Sequence, residues 1–396
     1  MKMKKLLTLL SILILSTSVL AGEMTIFSGT WKETLAKAKS EKKIVMLDCY
    51  TDWCVWCKVM DRSTLKSDTT LEVLNKSFVC CRREMEKDQE GLMLGMKYMI
   101  SGYPTYLFFD GDGKLIYQII GYRPTVDFVA ELKKALDPST QQSYPGFSTN
   151  MEPGYPQFYK DAFGTSTVRK RPLADTVTAY LDKQKDLKSE TSWAVMQMFR
   201  LNAKYSKWVL DNADDLKKLY GNDIVQNKIY GIIRSKADSA CIKQDDKLLK
   251  VAIADLNKAY PGQDLSATIR SWNYNYLMSG GNYAALVKQL QVTGDTLKDD
   301  GWKSFYAGEV NNCSWSIFEK CDDITVCEAL LPTIKKAAET SNDGATYDTY
   351  ANLLFKTGHY ADAKTIAEKA VELEKAQQQD PKPTEDLLTQ INAKLK

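Results

Sequence analysis

The chain has 396 residues, 44% hydrophobic and 26% charged, which is enough for two or three domains and a sizeable core. Its single histidine, His359, cannot build a His-rich metal site; unless it sits at the active centre, Ser-His-Asp and Cys-His catalysis are excluded too. The 53 Lys and Arg against 50 Asp and Glu leave a net charge of +3, too little for a nucleic-acid binder, so the nine cysteines are where chemistry is to be sought.

The first element is a leader. Met-Lys-Met-Lys-Lys is followed by an apolar or small run, Leu6 to Leu20, and Val19-Leu20-Ala21 places small residues at −3 and −1 of a cut after Ala21. The run is 15 residues long, short of the roughly 20 a membrane-spanning helix needs. The expectation is an exported, periplasmic or otherwise extracytoplasmic protein with no stable membrane insertion after cleavage. Loss of Lys2, Lys4 and Lys5 would leave 50 basic and 50 acidic residues, a formally neutral chain. Export also puts the cysteines in an oxidising compartment, where thiols pair or do redox work.

Next comes a strand and a turn. Ile44–Leu47 is an apolar run suited to a strand buried on both faces, and it leads into Thr51-Asp-Trp-Cys54-Val-Trp-Cys57-Lys58. A Cys-x-x-Cys at the start of a helix has a physical meaning. Unpaired backbone N–H groups and the positive end of the helix dipole favour the thiolate of the first Cys, and the second lies one turn along. The bare spacing is also that of half a zinc site. Zinc needs four ligands, and the chain offers neither a second Cys-x-x-Cys nor a usable His.

The segment Asp48 to Lys58 resembles the thioredoxin active site. That family carries a buried Asp six residues before the first Cys, a Trp just before it and a Lys just after the second, matched here by Asp48, Trp53 and Lys58. Ser101-Gly-Tyr-Pro104-Thr105 resembles the family's Gly-x-Pro-Thr segment, whose Pro is cis. Strand-like Tyr106–Phe109, a Gly111-Asp-Gly113 turn, strand-like Leu115–Ile120 and a helix over Val126–Leu136, with Val126, Val129, Leu132 and Leu136 on one face, complete the unit. The subgroup most similar is exported domains with Asp-Trp-Cys-x-x-Cys-Lys, including the C-terminal periplasmic domain of the membrane disulfide-reduction transporter. Val55-Trp56 between the cysteines departs from the usual Gly-Pro.

The resemblance implies roles. Cys54 is the exposed nucleophile, Cys57 resolves the mixed disulfide, and Cys54–Cys57 is the redox disulfide. Asp48, buried beneath them with a raised pKa, accepts the proton that Cys57 loses; its bland alternative is an ordinary strand-end aspartate. A cis bond at Pro104 turns the backbone of Tyr103 toward the disulfide for an extended substrate, and Trp53 and Trp56 form an apolar rim, plain packing being the other reading of Trp56. Strong oxidants of this fold have a His between the cysteines. Val55-Trp56 supplies no such cation or polar donor, so the couple is expected to reduce rather than oxidise. No cofactor and no metal is expected.

The other cysteines read as packing. Cys49 alternates to the face opposite Asp48, and Cys80 and Cys81 alternate within Phe78–Arg83. Arg82 falls near where the family often has a Lys beside the buried Asp, with the register open by a residue. Cys241, Cys313, Cys321 and Cys327 lie in the second half, and Cys321–Cys327 is spaced to pair across a helix turn, with free buried thiols the preferred reading.

After Leu136 the signals change. Residues 137–172 hold five prolines (138, 145, 153, 156, 172) and the aromatics Tyr144, Phe147, Tyr155, Phe158 and Tyr159, a linker or a loop-rich stretch laid over a surface. From about 173 the chain is continuously helix-like, with short separations that imply antiparallel hairpins. Tyr347-x-x-Tyr350-Ala351-x-x-Leu354-x-x-x-Gly358-His359-Tyr360-x-x-Ala363, running on to Ala367 and Ala370, resembles a tetratricopeptide repeat, with a generic helical hairpin as the alternative. Gly280-Gly281-Asn-Tyr283 is a more degenerate copy of its turn. His359 falls in the turn and takes no catalytic role. Trp193, Trp208, Trp272, Trp302 and Trp315 read as core.

The expected architecture is a signal peptide (1–21), a thioredoxin-like α/β domain with a mixed central sheet and flanking helices (22–137), a Pro/Gly/Tyr-rich linker (138–172) and an all-α, tetratricopeptide-like domain (173–396). The expected function is exported thiol–disulfide oxidoreduction on protein disulfides. Its partners would be disulfide-containing proteins, a redox donor or acceptor protein, and a protein partner on the helical domain, with no nucleic acid. Two alternatives stand beside it: a partner-binding helical-repeat protein with a redox-capable scaffold, and a merely structural Cys54–Cys57 bridge.

Overall fold

A computed structural model describes residues 22–298, 301 and 305–396. The leader-like segment 1–21 and Trp302 lie outside the described residues. In chain order the first elements are α1 (Trp31–Glu41), β1 (Ile44–Tyr50), α2 (Val55–Arg62), α3 (Asp68–Ser77), β2 (Phe78–Glu84), α4 (Gln89–Lys97), β3 (Thr105–Phe109), β4 (Leu115–Ile120) and α5 (Thr125–Leu136).

The four strands form one mixed sheet in the order β2-β1-β3-β4. β1 runs parallel to β2 and antiparallel to β3, and β3 runs antiparallel to β4. β1 is central, so its apolar run is buried on both sides, as parallel-paired strands require. The register puts Met46 level with Cys80 and Phe108, and Asp48 level with Arg82 and Tyr106. Side chains alternate across a strand. Met46, Cys80, Tyr106 and Phe108 therefore belong to one apolar cluster, with Leu74 of α3 and Phe128 of α5. The opposite face carries Val45, Leu47, Cys49 and Phe109, and the ring of Trp31 from α1 meets Phe109 edge-on at 4.9 Å. Helix α1 starts at a capping box in which Thr30 and Glu33 satisfy each other's backbone N–H groups.

The buried face of α5 differs from the expected one. Phe128, Leu132 and Ala135 are its buried residues, and Val126 is 80% exposed. The i, i+4, i+7 spacing from Phe128 sets the phase, because the largest apolar side chain claims the core and leaves a residue two positions away on the far side.

Further along come α6 (Gln157–Lys160), α7 (Ala174–Leu181), α8 (Glu190–Met198), α9 (Ala203–Asp211), α10 (Ala213–Tyr220) and α11 (Asn222–Lys243). The described chain divides into two compact units between Ile229 and Tyr230, inside α11. In the first unit, the stretch between α5 and α8 is fastened down. Lys97, at the end of α4, is fully buried and gives its ammonium to Glu190 at 2.5 Å and to the Asn150 carbonyl at 2.7 Å. Glu190 also accepts from the Ser148 N–H at 3.0 Å, and Tyr159 donates to the Met96 carbonyl at 2.6 Å. Phe147 lies between the rings of Tyr98 and Tyr220.

The second unit is helical: α12 (Asp246–Ala259), α13 (Ser266–Ser279), α14 (Tyr283–Thr296), α15 (Ala307–Lys320), α16 (Ile324–Ser341), α17 (Gly344–Lys356), α18 (Tyr360–Ala376) and α19 (Lys382–Lys394). α17 and α18 form a hairpin whose turn uses Gly358 at φ 86°, a conformation open to glycine. Ala351, Ala363, Ala367 and Ala370 are buried, the small side chains that let two helices approach closely. His359 is half-exposed and meets Glu328 at 2.8 Å. Of the tryptophans read as core, Trp193 and Trp272 are buried and Trp208 is half-buried, but Trp315 is 38% exposed and lies beside Phe318. Cys321 and Cys327 are separate buried thiols. No helix among the described residues is long and apolar enough to cross a membrane.

Removing one partner of a buried ion pair costs about 3–5 kcal/mol, because the other charge stays in the interior uncompensated. Glu190→Ala is expected to lose that much, read as a lower urea midpoint. Adding Lys97→Met should recover most of it, since no charge is then stranded.

Candidate functional site

Strand β1 ends at Tyr50, and a short turn carries the chain to Cys54, the N-cap of α2. Most N-caps are Ser, Thr, Asp or Asn, whose oxygen accepts from the first turn. Here the Cys54 sulfur accepts from the Cys57 N–H at 3.0 Å. Cys54 and Cys57 form a disulfide, with their Cα atoms 5.3 Å apart. Helix geometry thus aims an unpaired N–H and the positive end of the helix at the sulfur that would carry negative charge on reduction.

Cys54 is not the exposed residue expected of it. Both cysteines are only 3% exposed, while the flanking Trp53 and Trp56 are 59% and 56% exposed. The indoles stand proud because each is tied sideways rather than folded into the core. Trp53 donates its Nε1–H to buried Glu86 at 2.9 Å and meets the Tyr103 ring edge-on at 5.9 Å. Trp56 lies against Tyr122 at 5.2 Å. The Tyr103–Pro104 bond is cis. The Pro104 carbonyl accepts from the Gly121 N–H at 2.8 Å, which ties this loop to the start of the β4–α5 loop.

Beneath this surface lies Asp48, 1% exposed. Arg82 from β2 places its Nε 2.7 Å from Asp48 Oδ2, and its Nη2 reaches Asp61 of α2 at 3.0 Å. Its guanidinium also sits 4.6 Å from the centre of the Tyr50 ring. One side chain therefore ties β1, β2 and α2 together, and Asp61 is one turn along α2 from Cys57. The Arg82 Nε contact with Asp48 is an ion pair without a well-directed hydrogen bond. Burial wins over that attraction and pushes the Asp48 carboxyl up to about 6, with Asp61 adding in the same direction. A carboxyl there can hold or release a proton near neutral pH.

The remaining cysteines are set apart from this chemistry. Cys49 faces away from Asp48, and burial raises its thiol well above the ordinary value. Burial pushes Cys80 and Cys81 up to about 12, and neither is in a disulfide. Such thiols are inert at physiological pH. No group of His, Cys, Asp or Glu among the described residues could hold a metal ion.

The fold brings Asp48, Trp53, Cys54, Cys57, Trp56, Tyr103 and Pro104 to one end of the sheet. Arg82 is settled as the partner of Asp48. Sequence reasoning missed Glu86, Tyr122 and Asp61. Asp61 had a readable signal, four residues after Cys57 on one helix face. Glu86 and Tyr122 had none, since loops bring them in.

The family model described as thioredoxin-like matches residues 25–111. The thiol:disulfide interchange protein DsbD of Yersinia pestis (strain Pestoides F) is 32% identical over 98 residues, covering 24% of this chain and 16% of that protein. DsbD of Ralstonia nicotianae is 30% identical over 115 residues, 28% of this chain and 18% of that protein. The chain thus spans less than a fifth of the length of these relatives. Among solved structures, the oxidised C-terminal domain of Neisseria meningitidis DsbD is 24% identical, covered to 99% by 28% of this chain, with a TM-score of 0.25. A thioredoxin from Thermus thermophilus is 26% identical, covered to 83% by 27% of this chain, also at TM-score 0.25. The N-terminal part of the chain is a thioredoxin-like α/β domain, and a largely helical region follows it.

Asp48 carries a testable consequence. Its folded pKa lies above its ordinary value of 3.8, so the native state holds this proton more tightly than the unfolded chain. The resulting stability is complete below about pH 4 and is lost as pH rises through 6. A shift of this size corresponds to roughly 3 kcal/mol. Urea unfolding from pH 4 to 8 should show wild type falling relative to Asp48→Asn by up to that amount. Parallel curves would mean that Asp48 titrates normally.

Proposed function

We propose that the protein is a thiol–disulfide oxidoreductase acting on protein disulfides. The observation that carries this reading is the Cys54–Cys57 disulfide capping α2, with the high-pKa carboxyl of Asp48 in the sheet beneath it. In the reduced form, the Cys54 thiolate attacks one sulfur of a substrate disulfide. A mixed disulfide forms, and the other substrate sulfur leaves as a thiolate and takes up a proton. Cys57 then attacks the Cys54 sulfur, its proton passing to the Asp48 carboxylate. The Cys54–Cys57 bond closes and the substrate leaves as a dithiol. Two electrons have moved from the protein to the substrate; one substrate thiolate takes its proton from solvent and the other takes the Cys57 proton relayed from Asp48, and a dithiol protein partner must return the two electrons.

Reduction is the favoured direction because Val55 and Trp56 bring no cation to the Cys54 thiolate, which would otherwise make the dithiol form too stable to give up its electrons. The low exposure of Cys54 suits a nucleophile reached only by a chain that lies down between Trp53 and Trp56. Substrate would run past Tyr103 and Pro104. We place the activity outside the cytoplasm on the strength of the leader-like segment 1–21. The helical region after residue 173, with its tetratricopeptide-like hairpin at α17–α18, is proposed to bind a protein partner.

The test is reduction of insulin by the dithiol form. Cys54→Ser should abolish it, and equal activity of the two proteins would sink the assignment. Cys57→Ser should accumulate mixed disulfides visible on non-reducing gels. Asp48→Asn should slow closure of the Cys54–Cys57 bond by about a hundredfold at neutral pH, the lower range of general-base effects. Stopped-flow tryptophan fluorescence would resolve that step.

A further inference from the structure

A cleft of about 830 Å³ begins at the edge of the redox site and leads away from it. One wall belongs to the thioredoxin-like domain: Trp53, Met85, Glu86, Ile100 and Tyr103. The other comes from the stretch that Lys97 and Glu190 fasten to α4, which brings Phe163, Val177, Arg169 and Arg171, and from the chain just after α8, which brings Phe199 and Arg200. Its charge is lopsided. Glu86 is the one carboxylate among the lining residues, and it is already engaged, accepting from the Trp53 indole at 2.9 Å and facing Arg169 at 3.6 Å. Arg171 and Arg200 are exposed and make no ion pair among the described residues. Yet the chain as a whole is close to neutral, with a net charge of +3. A local excess of guanidinium groups in a concave site is therefore not a by-product of a basic protein.

We infer that this cleft selects the substrate: it takes an extended, acidic polypeptide segment flanking the disulfide to be reduced, with carboxylates on Arg171 and Arg200. The inference rests on the redox reading above and adds to it the chemistry of the substrate. Arginine suits the task, because its planar fork holds a carboxylate through two hydrogen bonds. Glu86 has a separate part. By neutralising Arg169 and anchoring Trp53, it leaves the two outer arginines as the free charges and keeps the indole at the mouth of the cleft. The thioredoxin-like domain by itself has no counterpart of this wall, since all three arginines lie beyond α5.

The probes are peptides of equal length that carry one identical intramolecular disulfide, flanked by four Glu, four Gln or four Lys. The full chain, reduced with dithiothreitol and freed of it, is mixed with each, and the second-order rate of disulfide reduction is followed by stopped flow. Two partly exposed ion pairs predict a preference of about tenfold for the Glu peptide over the Lys peptide, shrinking as salt rises. In Arg171→Gln/Arg200→Gln the ratio should fall toward one, and in Arg171→Glu/Arg200→Glu it should invert; urea midpoints report that the variants are folded. Equal rates for the three peptides with wild type, or a preference that survives in both double variants, would overturn the inference while leaving the oxidoreductase reading intact. Failure of the reduced wild type to act on any peptide would overturn the oxidoreductase reading, and this inference with it.

Discussion

A carboxyl in the middle of an apolar sheet must be held by something, and at Asp48 that something is Arg82. The pair forms because β1 and β2 run parallel in a register that sets residue 48 level with residue 82. Burial raises the pKa of the carboxyl, whereas the nearby guanidinium lowers it. Burial outweighs the guanidinium and leaves the carboxyl raised to about 6. The same guanidinium reaches Asp61 on α2, so the helix that Cys54 caps is pinned to the strand that carries Asp48. The helix that carries the disulfide and the strand that carries Asp48 are joined because one arginine touches both.

A second ion pair, Lys97 with Glu190, does comparable work elsewhere. Neither group tolerates the interior alone, and together they draw the stretch after α5 onto the end of α4. Tyr159 and Phe147 add hydrogen bonding and ring contacts along the same seam. The result is that Pro- and Tyr-rich chain becomes a wall beside the redox site, where its Arg169 and Arg171, with Arg200 just after α8, face the space that Trp53 and Tyr103 open onto. Exposed Trp53 lines the cleft on the side of the Cys54–Cys57 disulfide, and the arginines line its other wall.

Where a residue's role depends on local spacing, the sequence was informative. Cys54 and Cys57 lie three apart at a strand-to-helix turn, and the alternation along β1 sets Cys49 against Asp48. The alternating pattern of Cys80 and Cys81 likewise foretold two buried thiols. Reading failed where phase or contact depended on something distant. The sequence spacing puts Val126 on the inner face of α5, whereas packing against the sheet sets the phase by Phe128. Trp315 was counted as core on residue type alone. The resemblance implies an exposed Cys54, but the structure leaves it only 3% exposed, and the flanking indoles are positioned by Glu86 and Tyr122, which loops bring in.

By itself, then, the sequence determined the mixed α/β unit, the redox pair at the start of a helix, the buried acid six residues before it, and the helical character of the second half. The Cys-x-x-Cys at the helix start and the helical second half follow from periodicity, turn chemistry and spacing, which act within a few residues along the chain; the mixed sheet and the buried acid came with the resemblance to thioredoxin. Tertiary structure decided which cation answers Asp48, how deeply Cys54 sits, and where the residues between α5 and α8 go. Those outcomes depend on groups far apart in sequence, such as 48 with 82, 53 with 86 and 97 with 190, that meet only when burial forces each charge and each polar atom to find a partner.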